Sequence, residues 1–336
     1  MKQIRLDMNE NPFEMPQDMK RSILEKAMSL PFNRYYAEIG GPAGAGVDRL
    51  LEKIADMNGV SPGMVTLGNG SDELIMINSS VAVGSRGAII VSTPTFGMYS
   101  LAARVYGRPV VEVPMSPRFE PDLPRLLEEA KAPGCLVFVC RPNNPTGNLC
   151  DIRVVETLLC ETGAVVIVDE AYYEFCGETV AGMLSRYPRL AVMRTMSKAW
   201  GIAGLRLGYM LASPEYTERV RAAKIPFNIN ILTQMIALEV LDRRDLVERT
   251  VTALREERSW LERALGGIRG ITVFPSVTNF LLIRTPLDAR RLHAALRERQ
   301  IYVRLVNGLP DCIRVAVGTR NENEGFVGAL ERLVGS

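Results

Sequence analysis

Four short stretches carry residues whose types and spacing could do chemistry. The first is "TMSKAWGIAGLRLGY", residues 195–209, placed just after the apolar run Leu190-Ala191-Val192-Met193. A lysine framed by small and apolar residues, as Lys198 is, loses solvation and with it basicity. Its neutral amine then attacks carbonyls to form Schiff bases. A lysine that faces solvent at a strand end is the ordinary alternative. Arg206 adds a fixed positive charge whose fork matches a phosphate. The second stretch, "VVIVDEAYYEF", ends an apolar run on Asp169, with Tyr172 three positions on. A carboxylate there is costly unless a cation meets it or it serves as a cap or solvated loop residue. The third, "RPNNPTG" at 141–147, follows "CLVFVC". Asn-Pro and Thr-Gly mark a turn, and such a turn can hold the Asn144 amide rigidly at a strand's carboxyl end. In the fourth, "GNGSDEL" at 68–74, two glycines open the backbone, Ser71 can cap, and Asp72 and Glu73 start a helix. Helix-start N–H groups bind phosphate, although a plain glycine turn explains the stretch equally well. It is not a dinucleotide fingerprint, because Leu74 stands where a glycine is required.

Taken in order, the four fit one ligand bearing an aldehyde, a phosphate, a phenolic oxygen and a basic ring nitrogen. Pyridoxal 5'-phosphate has all four, and a carboxylate paired with its ring nitrogen strengthens it as an electron sink. His293 is the only histidine. It lies in "LDARRLHAALRERQ", a helical pattern with Leu287, Leu292, Ala295 and Leu296 on the apolar side. Histidine-based triads, zinc sites and proton shuttles are therefore not expected. The lysine itself must move protons.

The elements that position these residues read as α/β. Between residues 63 and 211, strand patterns at Met64–Leu67, Ala88–Ser92, Pro109–Val113, Leu136–Cys140, Ala164–Val168, Leu190–Thr195 and Leu207–Leu211 alternate with helical ones. The helical patterns include Asp72–Val83, Leu123–Glu129 and Arg153–Cys160. Continuous apolar runs suit strands covered on both faces, hence a mostly parallel sheet whose ligands collect at the strands' carboxyl ends. From about residue 230 the pattern changes. A long helical stretch to about 265 precedes strands at Ile271–Phe274 and Phe280–Arg284 and a helix at Asp288–Arg299. Strands at Ile301–Arg304 and Cys312–Val317 and a final helix at Asn323–Leu333 follow. The expected division is an arm (1–30) that joins the small domain or a partner chain, a large domain (31–229) and a smaller α+β domain (230–336).

Bulk properties narrow the partners. The 336 residues are 47% hydrophobic and 23% charged with a net charge of +2. That balance suits a globular core and gives no bulk attraction to nucleic acid or anionic membrane. No apolar run approaches the roughly 20 residues of a membrane span. The start, "MKQIRLDMNENPF", lacks the apolar core of a signal peptide. None of the six cysteines forms a C-x-x-C pair, so no metal site is expected and a reducing cytoplasm is.

The stretches "NENPF", "GNGSDE", "PTFGMY", "PNNPTG", "DEAYYEF", "TMSKAWGIAGLRLGY" and "IRVAVGTRNENE" resemble, in order and spacing, the fold-type I pyridoxal-phosphate aminotransferases. Within these the chain looks most like the histidinol-phosphate aminotransferases. The resemblance implies that Lys198 holds the cofactor aldehyde and later carries the substrate proton, and that Asp169 pairs with the ring nitrogen. Asn144 and Tyr172 would contact the phenolic oxygen, and Phe96 would stack on the ring. Arg206, Thr195, Ser197 and the Gly70-Ser71-Asp72 backbone would hold the phosphate. Tyr35, in "FNRYYAE", matches a tyrosine that reaches a neighbouring subunit's cofactor phosphate, which implies a homodimer, although Tyr36-Ala37 replaces the family's usual Pro-Asp. Arg314 matches the α-carboxylate clamp. Arg304 matches a substrate-phosphate arginine, or else is a solvent-facing edge-strand residue. Asn11 joins the substrate-binding set, and Arg320 is a further candidate.

The activity this implies is transamination of L-histidinol phosphate with 2-oxoglutarate, giving imidazole acetol phosphate and glutamate in histidine biosynthesis. Alternatives are a threonine-phosphate decarboxylase and an aromatic or broad-specificity aminotransferase. A non-catalytic cofactor-binding regulator would need a DNA-binding segment that this chain has no room for.

Overall fold

The computed structural model describes residues 3–35 and 46–335. Tyr36 and Ala37 lie outside the described residues. In chain order the elements are β1 (Ile4–Arg5), α1 (Gln17–Ala27), α2 (Gly46–Asn58), β2 (Val65–Asn69), α3 (Ser71–Val81), β3 (Ile89–Thr93), α4 (Met98–Val105) and β4 (Val110–Pro114). Next come α5 (Leu123–Ala130), β5 (Leu136–Cys140), α6 (Ile152–Glu161), β6 (Val165–Asp169), α7 (Tyr173–Cys176), β7 (Leu190–Thr195), β8 (Leu207–Ala212) and α8 (Pro214–Ala222). The remainder are α9 (Ile231–Leu241), α10 (Arg244–Gly266), β9 (Thr272–Val273), β10 (Phe280–Arg284), α11 (Ala289–Glu298), β11 (Ile301–Tyr302), β12 (Arg304–Leu305), β13 (Cys312–Ala316) and α12 (Arg320–Val334).

Seven strands form one sheet in the order β2-β8-β7-β6-β5-β3-β4. From β4 to β7 the pairing is parallel, whereas β8 runs antiparallel to both β7 and β2. Successive residues of the central strands bury on opposite faces. Val137, Val139, Val166 and Val168 join one core, while Leu136, Phe138 and Ile167 join the other. This double burial explains the continuous apolar runs in the sequence. Register sets the ends of β5, β6 and β7 side by side, with Cys140 opposite Asp169 and Asp169 opposite Met193.

Helix starts are sealed by short polar side chains. Asp122, Asp151, Ser213, Asn230 and Asp288 each accept from a backbone N–H in the first turn of the helix that follows. Thr319 and Glu322 form a reciprocal capping box at α12, each such cap being worth about 1 kcal/mol.

The second sheet is antiparallel, in the order β12-β13-β10-β9. Its inner residues Phe280, Leu281, Ile283, Ile313 and Val315 share a core with one face of the large sheet. Three expectations need correction here. The helical stretch from 230 is two helices, because Arg243 leaves helical geometry (φ −117°, ψ 49°). The strand expected at Ile301–Arg304 is split. β11 pairs in parallel with β1, and β12 pairs with β13. Ser71 starts α3 rather than capping it; the N-cap is Gly70. The N-terminal segment joins this same chain, through β1 on β11. No described helix is long and apolar enough to cross a membrane.

Candidate active site

The ends of β5, β6 and β7, the start of α3, strand β13 and residues 7–11 of the N-terminal segment converge on one place. β7 ends at Thr195 and the chain turns sharply, bringing Lys198 in among Ala199, Trp200 and Ile202, all three buried. Lys198 Nζ donates to the Met8 carbonyl at 3.0 Å. Burial, helped by the positive charge of Arg314, pushes its ammonium down to about 8.

Arg206 sits in the left-handed region (φ 53°) at the mouth of this turn. Its Nη2 donates to Asp72 Oδ2 at 2.8 Å and its Nη1 reaches Ser197 Oγ at 3.5 Å. Thr195 Oγ1 donates to Ser197 Oγ at 3.0 Å and accepts from the Ser197 N–H at 3.2 Å. Gly70 adopts φ +79°, and a Cβ there would come within 2.6 Å of Arg206 Nη2. A Cβ on Gly208 would lie 2.5 Å from the Ser71 nitrogen and 2.7 Å from the Gly70 carbonyl carbon. Two absent side chains thus let β8, Arg206 and the α3 start close into a cup. Gly70 brings no side chain to the first-turn amides of α3, leaving them available to an anion.

Asp169 is 2% exposed. From sequence either a cation beside it or a cap or solvated-loop role is expected; it is not solvated, and among the described residues it makes no ion pair. Its partners are neutral. Tyr99 Oη donates to Oδ2 at 2.7 Å and the Ala171 N–H donates to Oδ1 at 3.1 Å. Burial pushes the carboxyl up to about 6, and the two hydrogen bonds oppose that rise.

Tyr172 accepts from Asn9 Nδ2 at 3.0 Å, and its ring meets Phe280 edge-on at 5.1 Å. Burial pushes its phenol up to about 12 against the pull of Arg314, so at neutral pH it keeps a proton to donate. Arg314 Nη1 donates to Asn144 Oδ1 at 2.6 Å, and its Nη2 to the Asp7 carbonyl at 2.6 Å. Asn144 thereby has its oxygen occupied and its amide nitrogen, the donor end, uncommitted among the described residues. Arg314 is buried, its Nε has no hydrogen-bond partner, and among the described residues no carboxylate pairs with it. A buried guanidinium in that state is a receptor for an anion.

The other expected residues are more dispersed. Phe96 packs edge-to-face on Tyr99 at 5.7 Å. Asn11 donates from Nδ2 to the Ala199 carbonyl at 3.2 Å, bracing the lysine turn. Arg304 is exposed, and its Cα pairs in register with that of Arg314. Arg320 forks onto both oxygens of Glu257 at 3.0 Å each, so its donors are committed within the protein. Tyr35 is 81% exposed and stacks on Phe227 at 4.6 Å. Sequence reading missed Tyr99 and Asn9. Each lay inside a quoted motif, but neither carries a charge, and what marks them is a contact that only the fold creates. Asn9 is buried in a left-handed conformation (φ 52°), a region asparagine tolerates better than most residues.

The sequence profile described as Aminotransferase class I and II matches residues 1–330. The chain belongs to this aminotransferase family. A histidinol-phosphate aminotransferase of Thermococcus gammatolerans is 42% identical over 333 residues, covering 99% of this chain and 92% of that one. Among solved structures, a putative histidinol-phosphate aminotransferase from Erwinia carotovora atroseptica superposes with a TM-score of 0.89 at 22% identity, covering 98% of this chain and 96% of that one. An L-threonine-O-3-phosphate decarboxylase from Porphyromonas gingivalis superposes with a TM-score of 0.83 at 22% identity, covering 98% and 99%. At these identities the structural likeness establishes the fold that the aminotransferase shares with both.

The residues present fit pyridoxal phosphate. The aminotransferase holds a buried carboxylate with no cation where a pyridinium would supply one. It has a glycine-lined cup with an arginine, two hydroxyls and uncapped amides for a phosphate. A lysine with depressed basicity follows on the turn after Thr195.

The last feature has a measurable sign. In the cofactor-free aminotransferase the charged Lys198 is disfavoured, so the folded chain binds fewer protons than the unfolded one between about 8 and the ordinary 10.5. The cost to stability is full below about 8 and fades as pH climbs through that window. Capture of pyridoxal phosphate should accelerate roughly tenfold per pH unit below about 8 and level off above it. A stopped-flow series against pH checks this, and a rate still climbing at pH 10 would contradict a desolvated lysine.

Proposed function

We propose that the protein transfers the amino group of L-histidinol phosphate to 2-oxoglutarate, giving imidazole acetol phosphate and glutamate. The observation that carries this reading is 42% identity over 99% of the chain to a histidinol-phosphate aminotransferase. The fold cannot decide it, because a decarboxylase of a phosphorylated amino acid shares that fold. When bound, pyridoxal phosphate supplies an aldehyde to receive the amino group and a ring that takes up the electrons left at Cα.

The chain's own residues do the rest. Lys198 Nζ would hold the cofactor aldehyde, and would take and return the proton at the substrate Cα. Asp169 holds the ring nitrogen, and Tyr172 Oη and the Asn144 amide orient the phenolic oxygen. Phe96 covers the ring. The Gly70-Ser71-Asp72 backbone, Thr195, Ser197 and Arg206 anchor the phosphate. Arg314 clamps the carboxylate of glutamate or 2-oxoglutarate in one half-reaction and has no carboxylate to clamp in the other. Asn11 holds the turn that presents Lys198 to the substrate.

Arg304, one strand over from Arg314, is assigned to the substrate phosphate. Arg304→Ala should lower kcat/KM for L-histidinol phosphate by about 10- to 100-fold, the worth of a charged hydrogen bond. Unphosphorylated L-histidinol should lose less than about threefold, and equal losses would remove the assignment.

In this reading residues 31–229 bind the cofactor, residues 230–336 form the small domain, and residues 1–30 strap the two together. The protein works in the cytoplasm as a homodimer in which Tyr35 reaches the partner's cofactor phosphate. Support comes from large apolar side chains left in the open at Leu24, Met28, Phe32, Tyr35, Ile225 and Phe227, in two segments joined by the Tyr35–Phe227 stack. Such surface ordinarily marks an interface. Sedimentation should give twice the chain mass for the wild type and the chain mass for a Met28→Asp, Phe32→Asp double variant, with turnover falling alongside. A fully active wild-type monomer would dispose of the dimer.

The deciding test is a half-reaction. Protein loaded with pyridoxal phosphate is mixed with L-histidinol phosphate and no oxo acid. Loss of the visible cofactor band with one equivalent of imidazole acetol phosphate per site is the expected result. A band unchanged by this substrate but bleached by an aromatic amino acid would shift the assignment to that class, and carbon dioxide release from threonine phosphate would shift it to a decarboxylase.

A further inference from the structure

Asp169 meets the cofactor's ring nitrogen in the function proposed above, and the inference drawn here rests on that reading. The proton between a carboxylate and a pyridine nitrogen goes to whichever is the stronger base, and the electron sink works only while the ring keeps it. A carboxylate this deeply buried is a strong base. The charged groups around it, Asp72 and Glu170, make it stronger still, and the neighbouring Cys140 thiol, pushed up to about 12 by burial, contributes no positive charge. Two donors act the other way, the Ala171 N–H at 3.1 Å and the Tyr99 hydroxyl at 2.7 Å. The backbone donor is fixed by the turn. The hydroxyl is supplied by a side chain that has been packed to supply it. Tyr99 is 0% exposed. Its ring lies flat on Phe138 of β5 (4.6 Å between centroids, 9° between planes) and against the edge of Phe96 (5.7 Å, 83°). Among the described residues its hydroxyl donates to no oxygen but Asp169 Oδ2.

We propose that Tyr99 is a positioning residue that weakens Asp169 as a base, so that the proton for which the carboxylate and the pyridine nitrogen compete stays on the cofactor nitrogen. Tyr99 touches no substrate. It acts through Asp169, with one oxygen of the carboxylate pinned by the phenol and the other by the Ala171 amide.

The test uses full-length wild type and Tyr99→Phe, each loaded with pyridoxal phosphate labelled with 15N in the ring. The ring nitrogen signal is read before substrate is added, and the half-reaction rate afterwards. In the wild type the signal sits at the protonated position. In Tyr99→Phe it moves toward neutral pyridine, and the half-reaction slows by roughly ten- to a hundredfold while the cofactor dissociation constant changes less than about threefold. An unmoved nitrogen signal in Tyr99→Phe overturns the proposal even if the rate falls, because lost packing alone would slow the enzyme without shifting the proton. If Tyr99→Phe does not fold, 3,5-difluorotyrosine at position 99 keeps the ring and strengthens the donor. Carbon-13 titration of Asp169 in the cofactor-free chain then moves to lower pH, and an unchanged titration overturns the proposal. A wild type that holds a protonated ring but ignores L-histidinol phosphate would defeat the substrate assignment and leave this comparison standing.

Discussion

Lys198→Ala abolishes transamination while leaving the cofactor bound. The lysine is asked for two services, holding the aldehyde and moving a proton, and proton transfer by a positioned side chain alone contributes about 10²–10⁴-fold. With no histidine near the site to take over, since His293 lies in α11, a fall of at least about 10⁴-fold in the half-reaction is expected. The phosphate cup of Gly70, Ser197 and Arg206 does not involve the lysine, so dialysed Lys198→Ala should retain stoichiometric pyridoxal phosphate. Product formation by single-turnover chromatography and cofactor content by absorbance check the two halves. Turnover within tenfold of wild type would end the Schiff-base assignment.

Arg314→Ala separates the two half-reactions. Losing a buried charge that binds a carboxylate costs about 2–5 kcal/mol, or roughly 30- to 5000-fold. The glutamate and 2-oxoglutarate half should bear that loss in kcat/KM. The L-histidinol phosphate half has no carboxylate for Arg314 and should lose less than about tenfold, the residue of disturbing Asn144, whose oxygen accepts from Arg314 at 2.6 Å. Pre-steady-state rates for each half, measured apart, supply the comparison. Equal losses would mean that Arg314 serves only to hold Asn144.

Most of the architecture was legible because it follows from local pattern. Continuous apolar runs such as "CLVFVC" had to be strands covered on both faces, and their positions agree with the structure to within a residue or two. The failures came where one residue changes backbone course without changing composition. Arg243 breaks a helix inside a stretch rich in helix formers, and Val303 separates two strands with different partners. Lys198, Asp169 and Arg206 could be singled out from sequence because such charges beside apolar runs demand explanation, whereas Arg314 and Arg304 were named only through the family resemblance. Tyr99 and Asn9 demanded none. Their importance lies in a 2.7 Å contact with Asp169 and a 3.0 Å contact with Tyr172, across 70 and 163 residues of chain, and no local spacing encodes such a meeting.

The N-terminal segment has a consequence for how the protein is made. Ile4 and Arg5 pair with Ile301 and Tyr302, and the Leu6 carbonyl accepts from Ala316. Those pairings carry Asp7, Met8 and Asn9 to Arg314, Lys198 and Tyr172. Residues 4–6 therefore leave the ribosome well before residues 301–316, and wait for them before they find their places. At about 5–20 residues per second the wait is roughly 15–60 s. Through that interval the large sheet can assemble with Lys198 uncovered, and a nascent chain is free to take up its cofactor before the strap is fastened.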